Sequence, residues 1–334
     1  MSDQATIGLF LNMGANLGAT ARDVFDLTLE QATLAEACGF HELWITEHHF
    51  IPFGINPSAL TAAAFILGRT ERIHVGTAVT LSPLHNPIEL AEKTALLDQM
   101  SGGRFHLGIG RGGYLKDYEV LGVDTDRWAD EPLASAERII EAWTADDLAR
   151  PEHTTGASPL QPPPLTHPHP PMLLATRSQA TIEFAARHGL ALQHYFAVPA
   201  DARMGLEAMY DEAGPTARVE HLHTMVVAVT GDEAGTRAAL TERLTESFIG
   251  GDWPHVPGAK GSGHRTKDGA KLPRDQMAKS VADGAIVGDL AKVTDEVAAF
   301  RERTGATRLT FYVEAIADRR TIHRSIEQLA SLAA

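Results

Sequence analysis

The sequence predicts a (β/α)8 TIM barrel, an α/β fold in which eight parallel strands close into a ring covered by helices. Short apolar or β-branched segments alternate with amphipathic helical ones from end to end, the pattern of a parallel sheet buried under helices. A doubly wound sheet would need a glycine fingerprint after its first strand, and Gly14-Ala15-Asn16-Leu17-Gly18 does not have that spacing. The 334 residues are read as one domain, 1–334, because barrels of this size are commonly single.

Residues 7–11 form the first strand. A helix then starts at Thr20, whose spacing to Asp23 fits a capping box. It keeps Val24, Leu27, Leu34, Ala35 and Cys38 on one face and ends at Gly39. Strand 43–46 precedes an alanine-rich helix over 57–69 with Asn56 as its N-cap. Strand 73–79 precedes a helix that Asn86 caps, with Pro87 in its first turn, running to Met100. Strand 105–109, helix 131–143, strand 172–175 and helix 178–188, stopped by Gly189, come next. Strands 190–195 and 221–229, helices 233–248 and 289–303, strand 308–313 and helix 319–332 complete the chain. Two stretches are expected to be irregular. One is a proline-rich insertion, 146–171. The other, 250–288, rich in Gly, Lys, His and Asp, is read as a mobile lid because it follows the seventh unit.

Composition excludes several partners. A net charge of −14 argues against nucleic acid or an anionic membrane, which need clustered Lys and Arg. An anionic ligand must therefore rely on local arginines and backbone N–H groups. Cys38 is the only cysteine, so no internal disulfide or thiolate metal cluster forms, and it is read as a buried structural thiol. No apolar run approaches the span of about 20 residues that a membrane helix needs. The N-terminus lacks a signal-peptide core, and a soluble, cytoplasmic protein is expected.

In a barrel, the strand ends converge on one mouth where chemistry is done. Glu47-His48-His49-Phe50 follows the second strand and Arg111-Gly112-Gly113-Tyr114 the fourth. A histidine there exchanges protons near neutral pH. No metal is expected, since His41-Glu42 is not followed by a histidine three residues on, and His167 and His169 sit in the proline-rich loop. His85 lies close to the mouth, whereas His106, among apolar neighbours, reads as a core residue. Ser178 opens a helix, where it serves as an N-cap.

The blocks Glu47-His48-His49-Phe50-Ile51-Pro52-Phe53-Gly54, Val75-Gly76-Thr77, 96–104, 111–117 and Leu121-Gly122-Val123-Asp124 resemble, in order, those of the luciferase-like flavin monooxygenases, above all the luciferase α subunit. The likeness spans nearly the whole chain. It implies that His48 is the catalytic acid or base and that His49 is structural near a subunit interface. It also implies that Arg111, Arg127, Ser178 and Thr181 hold the FMN phosphate, and that Ala78-Val79 is a cis peptide under the flavin ring. Gly110 and Tyr114 join the cofactor-binding set. Arg177 replaces a family glutamate, Gly110 stands where the family's reactive cysteine falls, and Phe196 stands where luciferase has tryptophan. Gly110 is expected to leave room for a substrate bulkier than a fatty aldehyde, and light emission is not implied.

The activity so implied is that of a two-component monooxygenase. FMNH2 from a separate NAD(P)H-dependent flavin reductase reacts with O2 to a flavin C4a-hydroperoxide. One oxygen then enters a small organic substrate, an aldehyde or an aromatic, polyketide-like metabolite of natural-product tailoring. The alternatives are an F420-dependent oxidoreductase and a catalytically silent flavin-binding protein. The likeness further implies a homodimer through helices 57–69 and 87–100, where Ala62, Ala63, Ala64, Leu90 and Leu97 permit close packing.

Overall fold

The computed structural model describes residues 5–14, 19–128, 132–148, 157–247, 274–316 and 318–333. Its strands are β1 (Thr6–Leu11), β2 (Glu42–Ile45), β3 (His74–Thr77), β4 (Thr80–Leu81), β5 (Phe105–Gly110), β6 (Met172–Leu174), β7 (Ala191–His194), β8 (Leu222–Val229), β9 (Ile286–Gly288) and β10 (Arg308–Tyr312). They are all parallel and run β10-β1-β2-β3-β5-β6-β7-β8, and β8 pairs back to β10, closing an eight-membered ring. The expected barrel is present. β4 resumes the third strand beyond Ala78-Val79 and pairs with the end of β5. β9 lies along the end of β8, outside the ring.

Strand alternation separates two apolar layers. Leu9, Leu43, Val75, Leu309 and Phe311 face the helices, whereas Phe10, Trp44, Val226 and Tyr312 point inward. The interior is filled by pairing large with small residues: a Cβ on Gly76 would sit 2.3 Å from the Trp44 ring. Near the strand starts Arg308 closes the floor, 2.6 Å from Glu42, with the Trp44 indole N–H donating to the same carboxylate at 2.9 Å. Burial alone would raise the Glu42 pKa, but the Arg308 charge and hydrogen bonds hold it below the usual carboxylate range.

The helices are α1 (Ala21–Ala37), α2 (Ala59–Leu67), α3 (Pro87–Ser101), α4 (Leu115–Leu121), α5 (Leu133–Thr144), α6 (Gln179–His188), α7 (Ala200–Glu212), α8 (Glu233–Ser247), α9 (Arg274–Asp283), α10 (Leu290–Thr304) and α11 (Arg319–Leu329). Thr20 and Asp23 form the expected capping box, and Asn86 caps α3. α2 departs from expectation. Ser58 is its cap, while the Asn56 amide donates to the Thr46 carbonyl at 2.7 Å. Helices α4 and α7 were not anticipated.

The expectation for 250–288 needs correction, because its last part carries α9 and β9 and is regular structure. The remainder of the expected lid lies outside the described residues. In the proline-rich insertion, 157–171 has neither helix nor strand but is anchored. The buried Asp98 carboxylate on α3 accepts from the Leu165 and Thr166 amides at 2.7 Å each and from the Thr166 hydroxyl at 2.8 Å. No helix among the described residues is long and apolar enough to cross a membrane.

Candidate active site

The C-terminal ends of the ring strands surround a cavity of about 450 Å³. His48, Ala78, Val79, Gly110, Arg111, Tyr114 and Ser178, from the turns after β2, β3, β5 and β6, all line it. Thr181 is buried inside the first turn of α6, outside the lining. Arg127 also lies outside the lining and donates to the His85 carbonyl at 3.0 Å.

His48 is set by a tight return of the chain. Phe50 adopts φ 57°, Ile51 bridges to Gly54, and the His48 amide donates to the Asn56 carbonyl at 2.9 Å. A side chain at 54 would meet His48 Nδ1 at 2.5 Å, so glycine is what lets the loop close on the imidazole. The Phe53 ring stands edge-on to it at 5.3 Å. Thr46 assigns the tautomer. Its hydroxyl gives its single proton to the Asn12 carbonyl at 3.1 Å and lies 3.2 Å from His48 Nδ1. It therefore accepts from Nδ1–H, which leaves Nε2 as the basic nitrogen. Burial pushes the His48 pKa down to about 4; Glu47 opposes this shift and His49 reinforces it. The imidazole is neutral at pH 7.

Glu47, 3% exposed, joins three segments around the mouth. Its carboxylate accepts from the Ala59 amide at 3.1 Å and the Leu81 amide at 3.2 Å, and lies 3.0 Å from His85 Nε2 and 3.7 Å from His49 Nε2. Burial would raise its pKa, yet the neighbouring His49 and His85 imidazoles and the Ala59 amide hold it near 2. The buried Glu314 carboxylate similarly accepts from the Asn12, Met13 and Gly14 amides and shapes the turn after β1.

On another part of the wall the Arg111 guanidinium lies over the Trp128 ring at 4.1 Å. The Tyr118 hydroxyl holds the Arg111 carbonyl at 2.7 Å. Ser178 is the N-cap of α6, yet its side chain makes no cap hydrogen bond. This leaves an arginine and a helix N-terminus on one cavity, a donor set that fits a phosphate. The Ala78-Val79 peptide is cis, as the resemblance implied.

Gly110 corrects one expectation. A Cβ there would lie 2.8 Å from Val79 Cγ2 and 3.4 Å from Ala175 Cβ, so the expected extra room is already filled. Sequence reasoning gave Asp117 no role, although it lines the cavity at 1% exposure with Oδ1 lacking a hydrogen bond. Burial pushes its pKa up to about 6. Its place in the first turn of α4, directly after the Arg111–Tyr114 block, was the available signal. Phe10, Tyr195 and Phe196 form an aromatic wall, with Tyr195 and Phe196 centroids 4.0 Å apart.

Fold and site together define a barrel whose mouth gathers a histidine, an arginine and a helix N-terminus on one cavity. Residues 6–308 match the family model described as luciferase-like monooxygenase, and the chain belongs to that family. It is 31% identical over 245 residues to an alkanal monooxygenase alpha chain of Photorhabdus luminescens, covering 68% of this chain and 64% of that one. It is 32% identical over 181 residues to the oxygenase component of a flavin-dependent trigonelline monooxygenase of Acinetobacter baylyi, covering 52% and 49%. The chain thus spans less than two thirds of the length of these relatives.

Among solved structures, monooxygenase RslO1 from Streptomyces bottropensis aligns with a TM-score of 0.78 at 21% identity, over 98% of each chain. An F420-dependent secondary alcohol dehydrogenase aligns with a TM-score of 0.74 at 17% identity, over 98% of each. Proteins of both chemistries share this barrel, so the fold by itself does not choose between them.

Proposed function

We propose that the protein is the oxygenase component of a two-component monooxygenase that uses FMNH2 and O2. The observation that carries this reading is the cavity that brings His48 together with Arg111 and the α6 N-terminus. The sequence relatives, an alkanal monooxygenase chain and a flavin-dependent oxygenase component, favour FMN over F420. When bound, reduced FMN supplies the electrons that activate O2, so that one oxygen atom reaches an organic substrate and the other leaves as water.

Arg111 and the α6 N-terminus with Ser178 hold the phosphate, which overcomes the unfavourable field of a protein of net charge −14. Ala78-Val79, Gly110 and Tyr114 form the surface against the ring. The aromatic wall excludes water and offers flat faces to the substrate, which suits an aromatic or polyketide-like metabolite of natural-product tailoring. His48, neutral with its lone pair on Nε2, takes a proton from the reacting centre and returns it. The reading places Thr181 behind this site and assigns Arg127 to support of the His85 segment.

A separate NAD(P)H-dependent reductase supplying the FMNH2, and a cytoplasmic location, belong to this proposal. So does a homodimer through α2 and α3. Ala63, Leu90 and Leu97 face the barrel core, whereas Phe65, Leu96 and Met100 are exposed on those helices and are the residues such an interface would cover. Cofactor preference tests the assignment. Tight binding of FMNH2, with O2 uptake coupled to an oxygenated product, supports it. Preferential binding of F420 with hydride transfer and no O2 uptake would replace it with the oxidoreductase reading. Flavin binding without turnover on any substrate would leave a silent flavin-binding protein.

A further inference from the structure

Where β7 meets β8, beside the cavity that His194 helps to line, three side chains converge that no step of the flavin chemistry uses. β7 and β8 run side by side with His194 opposite His223, and their rings lie 4.9 Å apart between centroids. The next residue, Thr224, lines the cavity. His223 therefore faces the other way, where Phe300 of α10 packs edge-on against it at 5.7 Å. α7 follows β7, and its Glu207 Oε1 reaches to 2.8 Å from His194 Nε2 and 3.2 Å from His223 Nε2. Both imidazoles are 2% exposed and the carboxylate 18%.

A hydrogen-bonded triad is the ordinary account of such a cluster, and the geometry fits it poorly. Despite the short separations, His194 Nε2 and Glu207 Oε1 make no hydrogen bond of acceptable geometry, nor does His223 Nδ1. Buried polar atoms left in this way are costly. The three groups each offer a ligand atom, all within 4.8 Å of one another. Around a tetrahedral zinc with bonds of about 2.0–2.1 Å, neighbouring ligands sit about 3.3 Å apart, a spacing that small side-chain rotations reach from here.

We infer that His194, Glu207 and His223 form a binding site for one divalent transition-metal cation of zinc type. Two imidazoles and one carboxylate suit such an ion better than magnesium or calcium, which prefer oxygen-only shells. Three protein ligands leave a fourth position for water. Arg203 stands nearby, donating to the carbonyls of Val198, Tyr195, Phe196 and Thr224. Its positive charge opposes a cation and weakens the site. The ion would clamp α7 onto β7 and β8, fixing Tyr195, Phe196 and Val198, which connect them and line the cavity. The inference stands independently of the flavin reading.

Full-length protein stripped with a chelator, then titrated with Co2+ and Zn2+, tests it. One equivalent of Co2+ is expected to bind with the intense visible absorption of a tetrahedral centre, to be displaced by Zn2+, and to raise Tm. Glu207→Gln and His223→Ala should each weaken binding by at least about tenfold. Glu207→Gln keeps the side-chain volume, so the test survives a folding defect in the histidine variant. Absence of saturable binding to the wild type would overturn the site. Binding unchanged in both variants would also overturn it, by assigning the ion to others of the 16 histidines.

Discussion

At the scale of the residue, the account turns on a neutral His48 whose Nδ1–H is held by Thr46 and whose Nε2 is left free. His48→Ala is expected to leave FMNH2 binding intact and to lower turnover by about 10²-fold or more, read by rapid kinetics beside equilibrium titration. Arg111→Ala should do the reverse, weakening FMNH2 binding about tenfold or more through loss of a charge-assisted phosphate contact. Near-normal turnover at saturating flavin would accompany that loss. Proton linkage adds a second test. The folded His48 pKa, about 4, lies below its unfolded value near 6.5, so the unfolded chain binds that proton first. Stability from this group is present above pH 6.5 and falls away as pH drops toward 4. A His48→Gln variant should lose less stability over that window, and identical acid profiles would contradict the assignment. Asp117 works in the opposite sense. Burial raises its pKa to about 6, which costs stability above that pH. Asp117→Asn should therefore stabilise the protein at pH 7 by an amount on the order of 1 kcal/mol, read as a raised Tm.

At the scale of the element, local chemistry that the chain carries beside each helix was legible. Thr20 with Asp23, Asn86 with Pro87, and the αL glycine Gly189 all act where sequence put them. Asn56 was misread because an Asx side chain caps a helix or binds a neighbouring loop equally well, and here the Thr46 carbonyl takes it. α7 was missed because its 13 residues bury only Arg203 and Tyr210, too little apolar periodicity to register. β9 is three residues long and draws its stability from pairing with β8, which no local pattern reveals. The break of the third strand at Ala78-Val79 is likewise a consequence of tertiary context. Asp98 shows the same dependence on distant partners, since it holds residues 165 and 166 by three hydrogen bonds. Asp98→Ala should destabilise the protein by about 1–3 kcal/mol, because it removes three hydrogen bonds and leaves the part-buried Leu165 and Thr166 donors without their acceptor. Urea unfolding measures this, and a change within error would mean that the proline-rich segment is held by other contacts.

At the scale of the whole molecule, the barrel was readable because eight strand–helix repeats impose one closed solution. Strand-end placement put His48 and Arg111 near the mouth, but the rest of the candidate set came from family likeness, since the turns after β2, β3, β5 and β6 meet across long sequence distances. Composition bounded the chemistry without locating it: with a net charge of −14, the proposed anionic cofactor must rely on local groups, and Arg111 and Ser178 both line the cavity. Geometry then changed two details, filling the space at Gly110 with Val79 and placing Thr181 behind the cavity. The central claim is that this mouth holds reduced FMN and governs its reaction with O2. Anaerobic mixing of the protein with FMNH2, followed by rapid exposure to O2 while absorbance is recorded, tests it most directly. A long-lived absorbing species, distinct from both FMNH2 and FMN and absent without the protein, is the result expected. Immediate oxidation to free FMN and hydrogen peroxide, at the rate seen without protein, would contradict the account.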